Sequence, residues 1–269
     1  MTHDRGYESK HRALWALGDY TAVATEVVAS LGPELVQASG IGAGDRVLDV
    51  AAGAGNVAIP AALAGADVIA SDLSPDLLER GRALAQARGA SLRWQEANAE
   101  ALPFDAEAFD AVLSCLGVMF APHHQRSADE LVRVCRPGGV IGLISWTPEG
   151  FIGQMFATMK PYAAPPPPGA QPAPLWGNAD HVRELFADRV TDFTAQLRTL
   201  LVDRFADGAA FRDYFKANYG PTIAAYRGIA DQPDRVQALN TALAELGDRF
   251  LAGSTSMEWE YLLVTARKR

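Results

Sequence analysis

Residues 44–74, GDRVLDVAAGAGNVAIPAALAGADVIASDLS, decide the fold. Arg46 to Val50 is short and mostly apolar, the pattern of a strand buried on both faces of a parallel sheet. Gly53 and Gly55 follow, marking a tight turn. Residues 57–63 read as a helix, with Pro60 tolerable only near its first turn. Asp67 to Ser71 reads as a second strand. Ser74 and Pro75 then open a helix as N-cap and first residue, and Gly89 closes it.

The alternation continues outward. Strands are predicted at 91–96, 109–115 and 140–146, with a helix over 127–135 and a turn at Arg136-Pro137-Gly138-Gly139. Strand–helix alternation at this spacing means βαβ units and a parallel, doubly wound α/β sheet. Residues 8–38 read as helical, with Leu14, Leu17, Val23, Val27, Val28 and Leu31 at helical spacing. Pro161 to Pro174 is extended and reads as a long surface loop. A sixth strand is predicted at 191–203, two or three helices at 208–252, and a last strand at 257–266.

The 269 residues are 49% hydrophobic and 21% charged, the composition of a soluble globular protein. There are 24 basic and 32 acidic residues, for a net charge of −8, which argues against a protein that coats a polyanion. No nucleic-acid partner is expected. The start, MTHDRGYESKHRA, has no apolar core of the secretory kind. The longest apolar run, 57–66, is too short to span a bilayer. Cys115 and Cys135 read as reduced core thiols, which suits a cytoplasmic location. No Cys/His cluster has zinc spacing, so no metal is expected.

The glycine loop carries the chemistry. Residues 53–58, GAGNVA, match G-x-G-x-x-G/A, but several cofactors need such a loop, because each needs close backbone approach at a helix start. The surroundings discriminate. Asp49 stands in the strand before the loop. Asp72 ends the second strand, where a carboxylate can accept from both hydroxyls of a ribose. Asn98 and Ala99, after the third strand, can offer an amide and a backbone N–H to an adenine edge.

VLDVAAGAGN, IASDLS, NAEALPF, FDAVLS and LVRVCRPGG, in this order and spacing, resemble the class I S-adenosylmethionine-dependent methyltransferases. The resemblance is closest to the branch holding the ubiquinone/menaquinone-biosynthesis methyltransferases and many small-molecule enzymes. It covers residues 45–146 and the last strand. It implies a Rossmann-like, seven-stranded, mostly parallel sheet with helical cap elements. The implied division is cap helices at 1–44, a cofactor-binding core at 45–146, a core strand plus acceptor-binding helices at 147–256, and the final strand at 257–269. The implied cofactor is S-adenosylmethionine, leaving as S-adenosylhomocysteine. Asp49 and the loop from Ala51 through Gly53 to Gly55 would hold its methionine part. Asp72 would bind the ribose, with Leu73 against the adenine. Asn98 and Ala99 would read the adenine edge, and Ser114 would meet the methionine end. Two positions depart from the family: Ala51 replaces the loop's first glycine, and Asn98 replaces an acidic residue.

Methyl transfer is an in-line displacement, so the protein mostly positions the acceptor and, for some acceptors, removes a proton. His123 and His124 follow the fourth strand at the ligand edge and are the candidate bases; the competing reading starts a helix with them, facing solvent. His3, His11 and His181 carry less signal. Trp15 and Tyr20 are expected to fold over the cofactor. Phe211, Tyr214, Phe215 and Tyr219 share one helical face, and Tyr214 and Tyr219, with Phe120 and Trp146, are expected to line an acceptor cavity. The acceptor is then a small, largely apolar or planar metabolite, and the protein a monomer or homodimer. Two rival functions remain. A cofactor-binding protein of the same fold with non-methylating activity is kept open by Ala51 and Asn98. A nicotinamide-dependent oxidoreductase is disfavoured by the helical segment ahead of the first strand and by NAEALPF.

Overall fold

The computed structural model describes residues 5–269; His3 lies outside them. Seven strands form one sheet: β1 (Arg46–Val50), β2 (Asp67–Asp72), β3 (Arg93–Glu96), β4 (Phe109–Cys115), β5 (Cys135–Trp146), β6 (Val190–Val202) and β7 (Met257–Lys268). Their order is β3-β2-β1-β4-β5-β7-β6. The first five run parallel, while β7 pairs antiparallel with both β5 and β6. The expected doubly wound, seven-stranded, mostly parallel sheet is therefore present. Every residue of β1 and β2 after the first is buried, as strands covered by helices on both faces require.

The helices are α1 (Arg5–Trp15), α2 (Tyr20–Glu26), α3 (Leu31–Ala38), α4 (Ala58–Leu63), α5 (Pro75–Ala87), α6 (His124–Val134), α7 (Phe151–Met159), α8 (Ala179–Phe186), α9 (Gly208–Asn218), α10 (Gly220–Gly228) and α11 (Pro233–Leu251). The segment predicted as helical over 8–38 holds three helices. Gly18 at φ +66° turns the chain after α1, and the Asp19 carboxylate then caps α2 by accepting from Ala22 N–H at 3.3 Å. Ser74 caps α5 as expected, with Pro75 at its first position. The predicted turn at 136–139 is instead the start of β5. Cys135 pairs with Phe109, and a register shift lets the strand absorb Gly138 at φ +72° before regular pairing resumes at Val140.

Strand order reverses at β1, which has β2 on one side and β4 on the other. Ligands of open α/β sheets sit outside the carboxyl ends of the strands at such a point. The helices after Trp146 pack beside that edge around an aromatic cluster. Phe151 and Phe205 both stack on Trp259, and Phe215 meets the same ring.

Candidate functional site

A cleft opens at the carboxyl ends of β1, β2 and β4. Its floor is the loop after β1. Gly53 and Gly55 have φ of +55° and +89°, the left-handed region that favours glycine. Ala51 is also left-handed, at φ +54°, where a Cβ costs roughly 1–2 kcal/mol. Room for its methyl comes from Gly117 after β4: a Cβ there would stand 2.7 Å from the Ala51 Cβ and 2.1 Å from the Ala51 carbonyl oxygen.

Asp72 holds this floor to β2. One carboxylate oxygen accepts from Gly53 N–H and the other from Ser74 N–H, both at 2.8 Å. The side chain lines the cavity, with the Leu73 N–H also close to its carboxylate. Burial raises the Asp72 carboxyl above its ordinary range, against the pull of those N–H groups. Asp49 lies behind the loop. One of its oxygens accepts from Ala58 N–H at 2.9 Å, fixing the start of α4, and the other has no partner. Burial raises this carboxyl well above the usual range. Ser114 is fully buried. Its hydroxyl donates to the Val50 carbonyl at 2.6 Å and accepts from Val118 N–H at 2.9 Å, tying β4 to β1.

Beside Asp72, the wall is Leu73 and the 97–100 segment. Ala97 N–H donates to the Asp72 carbonyl at 2.9 Å, whereas the Ala99 N–H has no protein acceptor among the described residues. The Asn98 amide donates to Glu8 at 2.7 Å, and its oxygen accepts from Glu100 N–H at 2.9 Å. The roof is α1 with the start of α2. Tyr7, Glu8, His11 and Trp15 share one face of α1 and all line the cavity. Arg12 pairs with Glu96 at the end of β3, seating the helix. Trp15 Nε1–H donates to His11 Nε2 at 3.2 Å, and burial pushes His11 down to about 4, so its ring is neutral.

At Tyr20, Leu116 and Phe120 the cavity meets a second, small chamber of about 20 Å³. Its lining is almost wholly apolar, including Trp146, Met155, Phe215, Tyr219 and Trp259. Trp259 is 1% exposed and its indole N–H has no partner. Burial raises the Tyr20 and Tyr219 phenols well above their ordinary values.

The structure thus gathers Trp15, Tyr20, Ala51, Gly53, Asp72, Leu73, Asn98, Ala99 and Phe120 around the cavity, and Trp146 and Tyr219 around the chamber. Asp49, Gly55 and Ser114 stand behind the lining as supports. Tyr214 lines neither space: its hydroxyl donates to Glu26 at 3.0 Å, and Arg204 lies over its ring. His123 and His124 line neither as well. His123 Nδ1 is 3.0 Å from a Glu100 oxygen and Nε2 3.3 Å from the Pro168 carbonyl. His124 is fully buried in the first turn of α6, with Nδ1 2.9 Å from His181 Nε2. Tyr7, Glu8 and His11 are cavity residues that the sequence reading did not single out; their spacing with Trp15 on one helical face was the available signal. Trp259 was legible as an inward position of β7, alternating with Met257 and Tyr261.

A strand order reversed at β1, a left-handed glycine loop and an acid ending β2 define a nucleoside-cofactor protein of the Rossmann-like kind. Residues 47–139 match the family described as "Methyltransferase domain". The chain is 57% identical over 258 residues to an uncharacterized protein of Mycobacterium tuberculosis (strain ATCC 25618 / H37Rv), covering 96% of this chain and 94% of that one. It is 38% identical over 115 residues to the demethylmenaquinone methyltransferase of Thermus thermophilus, covering 41% of this chain and 52% of that one. The YcgJ protein of Bacillus subtilis shares the fold, with a TM-score of 0.60 at 20% identity over 89% of this chain and 99% of that one. Residues 47–139 belong to the methyltransferase-domain family, and the chain as a whole has the Rossmann-like methyltransferase fold. Among the described residues no helix is long and apolar enough to cross a membrane, and no group of His, Cys, Asp and Glu is arranged to hold a metal ion.

Proposed function

We propose that the protein transfers a methyl group from S-adenosylmethionine to a small, largely apolar or planar metabolite. The observation that carries the reading is the junction of two unlike spaces at Tyr20, Leu116 and Phe120. One has the donors and acceptors a nucleoside needs; the other is an apolar, aromatic chamber. The residues fit the cofactor. Asp72 presents a carboxylate to the cavity that can accept from ribose hydroxyls, the free Ala99 N–H suits an adenine ring nitrogen, and Leu73 offers an apolar face for the base. When bound, the cofactor supplies an electrophilic methyl carbon. The chain supplies position. Trp146, Phe215, Tyr219 and Trp259 would orient a flat acceptor and exclude water, and the loop between Ala51 and Gly53 would hold the cofactor.

Neither His123 nor His124 supports the reading as a base, since both imidazoles are engaged away from the cavity. Catalysis by positioning is therefore the reading we favour, with the acceptor delivering its nucleophile in reactive form. The test is S-adenosylhomocysteine formation from S-adenosylmethionine over a panel of planar phenols, quinols and N-heterocycles, set against charged, non-planar acceptors. Turnover with planar apolar acceptors is expected. Turnover confined to charged acceptors overturns the acceptor class, and no turnover with any acceptor, despite cofactor binding, favours a non-methylating role.

A further inference from the structure

The family's acidic residue at the adenine edge is missing here, because position 98 is asparagine. A carboxylate nevertheless stands at that edge, and it comes from another element. Glu8 of α1 lines the cavity beside Asn98, half-buried. The Asn98 amide is held in one orientation. Its oxygen caps Glu100 N–H at 2.9 Å, so its NH2 faces Glu8 and donates to one carboxylate oxygen at 2.7 Å. The other Glu8 oxygen has no donor among the described residues. The nearby Glu100 is not a substitute. Its oxygens already accept from His123 N–H at 2.8 Å and face the His123 ring at 3.0 Å, with Arg126 at 3.8 Å.

On the reading that the cavity takes S-adenosylmethionine, we infer that Glu8, held by Asn98, accepts a hydrogen bond from the exocyclic amino group of the adenine. Asn98 then acts as a positioning residue and does not itself carry the recognition. An acceptor of this kind is a specificity element, because it rewards a base bearing an amino group at that position and leaves an unpaired carboxylate against a base that lacks one. It also places base recognition on α1, so that the roof helix and the nucleoside stabilise each other's position.

The test is equilibrium binding, which needs no acceptor. The probes are S-adenosylhomocysteine and its analogue with a purine base lacking the 6-amino group, titrated calorimetrically into the wild type, Glu8→Ala, and the exchanged pair Glu8→Gln with Asn98→Asp. The wild type is expected to bind the adenosyl probe at least about tenfold more tightly than the desamino probe. Glu8→Ala is expected to remove that ratio, weakening the adenosyl probe about tenfold while leaving the desamino probe near its wild-type affinity. In the exchanged pair, a carboxylate returns to the edge from position 98 and the ratio is expected to recover at least in part. If Glu8→Ala weakens both probes by one common factor, Glu8 only tethers α1 and the inference fails. An unchanged ratio in Glu8→Ala overturns it equally. If the wild type binds neither probe, it is the cofactor reading that fails.

Discussion

Replacing Asp72 tests two functions of one carboxylate. On the protein side it ties Gly53 and Ser74 to the end of β2 by bonds of 2.8 Å each. On the ligand side it faces the cavity. A hydrogen bond to a charged group contributes roughly 1.5–3 kcal/mol. Asp72→Ala leaves two N–H groups without their acceptor, but water entering the cavity satisfies them in part, so a stability loss of about 1–3 kcal/mol is expected. Loss of the two ribose bonds, together with a loosened loop, is expected to weaken S-adenosylhomocysteine binding between roughly tenfold and a thousandfold. Calorimetric titration and urea unfolding measure the two effects separately. Asp67→Ala, at the opposite end of β2 in an exposed pair with Arg93, is the control, with unchanged affinity and a stability change under about 1 kcal/mol. The same carboxyl gives a pH signature. Burial raises it, so lowering the pH protonates it earlier than an ordinary aspartate, and affinity is expected to fall on the acid side. Its linkage to folding has the opposite sign: stability from a raised carboxyl is present below the ordinary range near ~4 and is lost as pH rises through the folded value. Unchanged affinity in Asp72→Ala, with or without a stability loss, would refute the assignment of this carboxylate to the ribose.

Three other expectations concern folding and the chamber. Burial, with His181 and His123 adding to it, pushes His124 down to about 4, so its contribution to stability is present above ~6.5 and lost as pH falls towards 4, by up to about 3 kcal/mol; unfolding free energy measured across that range should show a shallower acid slope in His124→Phe. Gly117→Ala drives a Cβ to 2.1 Å from the Ala51 carbonyl oxygen and is expected to destabilise by about 1–3 kcal/mol in a urea melt while weakening the cofactor, whereas a neutral result would mean that the two loops do not meet as described. Tyr219→Ala is expected to raise the acceptor KM or lower kcat without changing S-adenosylhomocysteine affinity, and Tyr214→Ala to leave both near wild type; equal effects in steady-state assays would contradict the chamber's placement.

Much of the fold was legible because its signals are local. β1 and β4 have the predicted bounds, and Ser74 with Pro75 starts α5 as its cap chemistry dictates. The errors fall where tertiary pairing overrides local preference. Arg136 to Gly139 looks like a turn by composition, but pairing beside β4 draws it into β5. Helical periodicity over 8–38 could not reveal that Gly18 and the Asp19 cap divide the segment. At the site, main-chain requirements were the readable part: the loop glycines and the acid ending β2 follow from any nucleoside bound at a strand edge. Contacts between distant segments were not readable. Nothing near Asn98 announces that the Glu8 carboxylate, ninety positions away, accepts from its amide. Tyr214 and Tyr219 share a helical face in sequence, but Glu26 and Arg204 hold Tyr214 aside while Tyr219 turns towards Tyr20 and Phe156. His124 was a candidate base at the ligand edge, but the Pro-rich loop and α8 after it bring Trp176 and His181 over its ring.

The central claim is that the cavity is built for S-adenosylmethionine. The most direct measurement is thermal unfolding of the purified wild type against rising concentrations of S-adenosylhomocysteine and, separately, NAD. A ligand that binds only the folded state raises stability by RT ln(1 + [L]/Kd), about 2.7 kcal/mol at a hundredfold excess over Kd. The account predicts a concentration-dependent rise in Tm with S-adenosylhomocysteine and none with NAD. A rise with NAD alone, or with neither, would contradict it.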